Sequence, residues 1–352
     1  MHYVLPSLAG KVDRAVHLRT PDRMIRSLSV TSEAWPLQRA FRIARGAKTQ
    51  AVVVTVTIQD GKFFGRGECV PYARYDESEQ SVITQIETMR HDLEAGLSRE
   101  ALQVMLPAGA ARNALDCALI DLQAKTTGTP AHELLGLPTP VAARTAYTLS
   151  LDDPQAMASA AAAAAAKGYR LLKLKVAGEN DLSRVEAVRK AAPAARLIVD
   201  ANEGWTPRDY DVLTPGLEQL GVALIEQPLK ADDDEYLASA AQPVPLCADE
   251  SCHTRADLER ITGRYSFINV KLDKTGGLTE AVALVHEAQQ RGLRLMAGCM
   301  VSTSLSMAPA TLLAGLAEFV DLDGPLLLAR DREPGLHYEA DLVYPPTREL
   351  WG

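Results

Sequence analysis

The sequence predicts an α/β protein, a parallel (β/α) barrel preceded by a smaller α+β domain. Three observations carry that prediction. From about Ala143 onward, short apolar runs alternate with helical patterns until eight strands have been passed. In the N-terminal third the order differs, with strands first and helices after them, as in a segregated α+β domain. The chain has 352 residues and is 47% hydrophobic, enough for a large core and more than one domain.

Residues 1–27 read as a polar leader, with Met24 as an alternative start. Charges interrupt "MHYVLPSLAGKVDRAVHLRT" before any apolar core of signal-peptide length. The α+β domain is expected over 28–140. There "TQAVVVTVTIQDGKFFGRGECVPY" holds β-branched runs broken by the hairpin signal "QDGK". Helices follow in "SEQSVITQIETMRHDLEAGL" and "GAARNALDCALIDLQAKTTG", with apolar residues three and four apart.

The barrel is expected over 141–324. Its strands are "RTAYTLSL", "YRLLKLKV", "ARLIVDAN", "GVALIEQP", "VPLCADES", "SFINVKL", "LRLMAGC" and "AEFVDLD". Helices are expected between them, including "DDDEYLASAA", "RADLERITGR" and "SLSMAPATLLAGL". The tract Ala160–Ala166 belongs to the first barrel helix, because alanine is the best helix former. The tail 325–352 is expected to pack back on the N-terminal domain and complete it.

Charged residues gather at the C-terminal ends of the strands. The second strand carries Lys173 and Lys175, the third ends at Asp200, and the fourth at Glu226. The fifth ends at Asp249 and Glu250, the sixth at Lys271, and the eighth at Asp321 and Asp323. From Asp200 to Glu226, Asp249 and Lys271 the steps are 26, 23 and 22 residues, one strand–helix unit each. Singly, such an acid is as well explained as a helix cap, and a lysine as a snorkelling side chain. Three acids on consecutive strands with lysines on either side are not. In this architecture catalytic groups sit at that face, contributed by several strands.

The residue types indicate the chemistry. Asp200, Glu226 and Asp249 are hard oxygen ligands suited to Mg²⁺. The seven histidines show no zinc-ligand spacing, and His253 reads as a loop or cap residue. Lys173 and Lys175 share one strand face. A lone buried ammonium is strongly disfavoured, so both should face carboxylates on neighbouring strands. A second ammonium and a cation also disfavour protonation of a lysine, which gives a pair of lysines a purpose in base catalysis.

Other functions are excluded by composition. The net charge is -8 and no basic stripe suggests nucleic acid. No apolar run reaches the roughly 18 residues of a membrane span. The five cysteines, Cys69, Cys117, Cys247, Cys252 and Cys299, are scattered and odd in number, as expected of free thiols in a reducing cytoplasm. A homo-oligomer is left open.

"KLK", "VDAN", "EQP", "ADES" and "NVKLDKTGG" resemble the muconate-lactonising branch of the enolase superfamily, over nearly the whole chain from about residue 28. Within that branch "PLQRAFRIARG", "GECVPYARYDES", "LPAGAARNALDCALIDL", "CADESCHT", "NVKLDKTGGLTEA" and "DLDGP" resemble the L-Ala-D/L-Glu epimerases. The resemblance implies a modified (β/α) barrel with an N-terminal α+β capping domain. It also implies a Mg²⁺-dependent isomerase that interconverts L-Ala-L-Glu and L-Ala-D-Glu in murein peptide recycling. One Mg²⁺ on Asp200, Glu226 and Asp249 would bind the substrate carboxylate and stabilise an enediolate. Lys175 and Lys271 would be the two bases of a 1,1-proton transfer, with Lys173 assisting and Glu250 behind the ligands.

The implied substrate poses two further requirements. Asp321 and Asp323 share a strand face and suit the dipeptide ammonium; the bland alternative is a pair capping the turn at Gly324. The side-chain carboxylate needs a cation, for which Arg45 is preferred and Arg74 is the other candidate, although a local salt bridge to Asp76 or Glu77 would also explain Arg74. Cys299 and Met300, after the seventh strand, would line the pocket. A related dipeptide epimerase of other specificity remains an alternative, as does an enzyme like the N-acylamino acid racemases or o-succinylbenzoate synthases. A Schiff-base aldolase would leave the three acids unexplained, and a binding barrel would leave the lysines unexplained.

Overall fold

The computed structural model describes residues 26–352. All but the last two residues of the expected leader lie outside that span, and Ser27 already opens a strand. An antiparallel sheet is built from β1 (Ser27–Ile43), β2 (Gly46–Asp60) and β3 (Phe63–Cys69). The hairpin signal "QDGK" falls on the turn between β2 and β3. The strand β1 had no clear signature in the sequence. Its pairing with β2 shifts register between Pro36 and Phe41, so no clean alternation runs through "PLQRAF".

The helix Ala110–Thr127 packs against β3 and supplies much of this domain's core. Gly67 makes the approach feasible: a Cβ there would lie 2.0 Å from the Ala114 carbonyl oxygen. The preceding helical segment is not continuous. It breaks at Met89 into Glu79–Thr88, begun by a Ser78 capping box, and Arg90–Glu94.

A short strand β4 (Ala143–Arg144) leads into the barrel. Its strands are β5 (Tyr147–Leu149), β6 (Leu171–Lys175), β7 (Arg196–Asp200), β8 (Val222–Glu226), β9 (Leu246–Ala248), β10 (Phe267–Val270), β11 (Arg294–Ala297) and β12 (Phe319–Val320). They pair in parallel in sequence order, and a parallel bridge between Thr145 and Val320 joins the two edges. The alanine tract forms the helix Pro154–Ala166, with Asp153 accepting the Ala156 amide as its cap.

Three expected helices depart from prediction. "DDDEYLASAA" forms only a 3₁₀ segment, Asp234–Ala238. Its run of aspartates favours caps and turns over helix interiors. "RADLERITGR" yields a 3₁₀ turn and one α-turn, Leu258–Ile261. "SLSMAPATLLAGL" is α-helical over Ser304–Ala310 and then tightens to 3₁₀, where Pro309 removes a backbone donor.

The tail contacts both parts of the molecule. Its strands β13 (Tyr338–Glu339) and β14 (Leu342–Val343) form a small sheet with β4 at the foot of the barrel. Beyond them Trp351 is buried and donates to the Cys117 carbonyl at 3.1 Å, while Arg332 grips Glu68 at 2.7 Å. Among the described residues no helix is long and apolar enough to cross a membrane, and all five cysteines are free.

Candidate active site

The strand period of two arranges the barrel interior in rings. The lowest ring takes one apolar residue per strand position: Ala146, Leu171, Ile198, Leu224, Cys247, Phe267, Met296 and Phe319 pack together as a buried floor. Arg196 and Arg294 close it from below, each 4.0 Å from an aromatic ring centroid. Two residues further along each strand lies the next ring, where Lys173, Asp200, Glu226, Asp249, Asn269 and Asp321 are all buried. The same alternation that makes the floor apolar makes this ring polar.

Charge pairing fixes these groups. The Lys173 ammonium touches Glu226 at 2.7 Å, Asp321 at 2.8 Å and Asp200 at 3.1 Å. Burial alone would lower its pKa, but those carboxylates outweigh burial and hold it well above the ordinary lysine range. Lys175 lies 2.6 Å from Asp200, and Lys271 lies 2.7 Å from Asp249. Lys274 takes the other Asp249 oxygen at 2.6 Å. Lys175 ends β6 and Lys271 follows β10, four strands apart in a ring of eight, so the two face each other across the barrel.

Above this ring a cavity of about 560 Å³ opens under the β1–β2 hairpin. It is lined by Lys173, Lys175, Lys271 and Asp249 from the barrel, by Asp321 and Asp323, and by Cys299 and Met300. Asp200 and Glu226 are fully buried beside Lys173 and are not among its lining residues. Among the described residues, no three His, Cys, Asp or Glu side chains are gathered as a ready metal-ligand group. The expected ligands Asp200, Glu226 and Asp249 each face an ammonium instead, because a buried carboxylate takes whatever positive charge is nearest.

The donor set nevertheless fits a hard cation. Six buried carboxylates (Asp200, Glu226, Asp249, Glu250, Asp321, Asp323) face four buried ammonium groups. Glu226 Oε2 and Asp249 Oδ1 accept no hydrogen bond, although an ammonium is 2.7 and 2.6 Å away, so they are held by charge without direction. Burial, then the Asp200 charge, pushes Glu226 up to about 7. Excess negative charge at three consecutive strand ends, with an undirected oxygen on Glu226 and on Asp249, is what a divalent, oxygen-preferring ion relieves.

Asp323 has burial and Asp321 beside it, and its pKa rises to about 7. Its Oδ2 accepts the Thr148 amide at 2.6 Å. Asp321 holds Lys173, whereas Asp323 pairs with no ammonium among the described residues. Arg45 sits in the β1–β2 turn and reaches over the barrel to Glu250 at 2.7 Å, Glu203 at 3.2 Å, the Asn202 carbonyl and the Tyr72 hydroxyl. Arg74 does not bond Asp76 or Glu77; it makes a bidentate pair with Glu203 at 2.7 and 2.8 Å. Both arginines therefore fasten the N-terminal domain to the barrel mouth.

Several participants escaped the sequence reading. Asn269 donates to Glu226 at 2.7 Å, and its place two residues before Lys271 was the available signal. Gly298 leaves room for it: a Cβ would meet the Asn269 side-chain oxygen at 2.2 Å. Lys274 lies within "KLDKTGG" but gains meaning only from its contact with Asp249. Lys48 lines the cavity and went unremarked.

The barrel, the capping sheet and the ring of acids and lysines define an enolase-type barrel enzyme. Residues 155–347 match the enolase C-terminal domain-like family, and residues 25–136 match the mandelate racemase/muconate lactonizing enzyme N-terminal domain. The chain belongs to the mandelate racemase/muconate lactonizing group of the enolase superfamily. Within it the chain is similar to the L-Ala-D/L-Glu epimerase of Escherichia coli K12, with 48% identity over 89% of this chain and 98% of that one. It is 47% identical to the N-acetyl-D-glutamate racemase of a Pseudoalteromonas species, over 85% of this chain and 95% of the other.

Two solved structures are similar throughout. An enolase family member from Agrobacterium tumefaciens with homology to dipeptide epimerases, holding sodium and L-Ala-L-Glu, matches with TM-score 0.90 and 51% identity over 93% of this chain and 100% of that one. A dipeptide epimerase from Enterococcus faecalis, holding Mg and L-Leu-L-Tyr, matches with TM-score 0.85 and 29% identity, covering 92% of this chain and 97% of the other.

Proposed function

We propose that this chain is a Mg²⁺-dependent dipeptide epimerase that interconverts L-Ala-L-Glu and L-Ala-D-Glu, acting in the cytoplasm on peptides released in murein recycling. The observation that carries the chemistry is the placing of Lys175 and Lys271 on opposite sides of one cavity, at similar depth. A carbon held between them has one lysine on each face. One removes the α-proton and the other delivers a proton to the opposite face, which inverts the centre. Asp200, Glu226 and Asp249 would hold Mg²⁺, which supplies positive charge to the substrate carboxylate as the α-proton leaves.

The chain's other groups bind and orient. Asp323, with Asp321 behind it, receives the dipeptide ammonium. Lys173 fixes Asp321, Glu226 and Asp200 relative to one another. Cys299 and Met300 form part of the wall, and burial holds the Cys299 thiol well above its usual pKa, so it stays protonated. The hairpin bearing Arg45 covers the mouth and limits water.

Proton NMR of the protein with Mg²⁺ and L-Ala-L-Glu in D₂O tests this. Loss of the glutamate α-proton signal, with L-Ala-D-Glu appearing on chromatography, is the expected result. No exchange with either diastereomer would remove this substrate. The similarity to an N-acetyl-D-glutamate racemase favours a second reading, in which the substrate lacks an ammonium. Asp323→Asn separates the two: it should impair turnover of the dipeptide far more than that of N-acetylglutamate.

A further inference from the structure

The two lysines that face the cavity are held by different parts of the molecule. Lys175 ends β6, and the backbone after it is fixed by the barrel itself. The Asp181 carboxylate accepts the Ala177 and Gly178 amides and is held in turn by Trp205 at 2.8 Å and Arg184 at 2.9 Å. Among the described residues, no capping-domain group hydrogen-bonds residues 176–180. Lys271 is placed otherwise. It is the N-cap of a one-turn helix, Leu272–Thr275, and its carbonyl accepts the Lys274 and Thr275 amides at 3.0 and 3.1 Å. Lys274 ties that turn inward, to Asp249 and to the Asn269 and Cys252 carbonyls.

From the outer side the turn is gripped by the capping-domain helix Ala110–Thr127. Arg112, Asn113 and Asp116 share one face of that helix, being three and four residues apart. Asn113 donates to Asp273 Oδ1 at 2.9 Å, and the same oxygen accepts the amide of Val70, just after β3, at 2.9 Å. Arg112 is buried and forms no ion pair among the described residues. Its guanidinium donates to the Thr275 and Gly276 carbonyls at 2.7 and 3.0 Å, where the one-turn helix ends, and to the Gln103 and Leu106 carbonyls of its own domain. Asp116 holds Thr279 beyond the turn.

We infer that Arg112 and Asn113 are positioning residues for Lys271: the capping helix fixes the turn that Lys271 opens, and so sets where its ammonium stands, while Lys175 takes its place from the barrel alone. This rests on the two-base epimerase reading above. A proton transfer tolerates little misplacement of the base, and a shift of about 1 Å costs on the order of 100-fold. Loosening the helix–turn contact therefore harms one half of the reaction and spares the other.

The test follows α-proton exchange in D₂O by proton NMR, for L-Ala-L-Glu and L-Ala-D-Glu separately, with the Mg²⁺-loaded protein. Lys271→Ala identifies the diastereomer that depends on Lys271. Arg112→Met and Asn113→Leu should each slow exchange of that diastereomer by about 10- to 100-fold and leave the other within about threefold. Asp273→Asn keeps an oxygen for Asn113 and Val70 and should preserve both rates. Arg332→Met cuts a different tie to the capping domain, the one to Glu68, and should change both rates alike. Equal slowing of both diastereomers in Arg112→Met and Asn113→Leu, no slowing of either, or the same selective loss in Arg332→Met overturns the assignment and leaves the epimerase reading intact. A wild type that exchanges neither dipeptide overturns the dipeptide reading, and this inference with it.

Discussion

Lys175 and Lys271 bring the same group to two faces of one cavity, and their removal should be separable. Lys175→Ala and Lys271→Ala should each abolish net epimerisation, a loss of at least about 100-fold. Each should still exchange the α-proton of one diastereomer in D₂O, a different one in each variant. Exchange of both diastereomers by either variant would refute the two-base scheme. Mg²⁺ binding, followed by calorimetry, should persist in both. These lysines were visible in the sequence because an ammonium is out of place in an apolar strand, and because the acids recur once per strand–helix unit. Asn269 and Lys274 were not visible, because each gains its place in the ring from residues distant in sequence, Glu226 and Asp249. Arg45 and Arg74 stood out as candidate substrate ligands for the fit of a guanidinium to a carboxylate and for their place in loops of the small domain; the anions that they pair with, Glu203 and Glu250, come from other loops.

Among the elements, close packing at two glycines gives sharp expectations. Gly67→Ala would drive a methyl group into the backbone of the helix Ala110–Thr127 and should destabilise the protein by about 1–3 kcal/mol in urea unfolding. Gly298→Ala meets the Asn269 side chain instead. It should leave stability less affected but lower kcat, since Asn269 orients Glu226. An equal loss of stability in both variants, with kcat intact in Gly298→Ala, would contradict this division. The barrel strands were legible because each is a short apolar run and six of the eight are ended by a charge. The 3₁₀ segments after β8 and β9 were not: their residues satisfy a helical pattern on paper, but Asp234 is held by Ser251, Arg260 and Arg264, and the Asp257 carboxylate accepts the His253 and Thr254 amides. The first strand was hidden by its broken register at Pro36.

For the whole molecule, the joint between domains should respond to pH. Asp116, on the capping-domain helix, is buried and accepts the Thr279 amide at 2.9 Å and its hydroxyl at 2.6 Å, on the barrel side. Burial pushes its pKa up to about 6, above the value in an unfolded chain. The folded state therefore binds the proton more tightly. Its contribution to stability is complete below about pH 4 and is lost as the pH rises through about 6. Asp116→Asn should flatten the pH dependence of Tm across that window, and an unchanged slope would count against the shift. The two-domain plan could be read from the order of strands and helices, whereas the tail's division between barrel foot and capping domain could not, because neither contact is local in sequence. Last, consider the apolar floor. It closes the barrel from below, so under the proposed reaction solvent would reach the lysines from the side by which the substrate enters. A proton lifted by either lysine would then return to the bulk only by that side. The isotope carried by the first molecules released would thus report how readily solvent reached the lysines before product left.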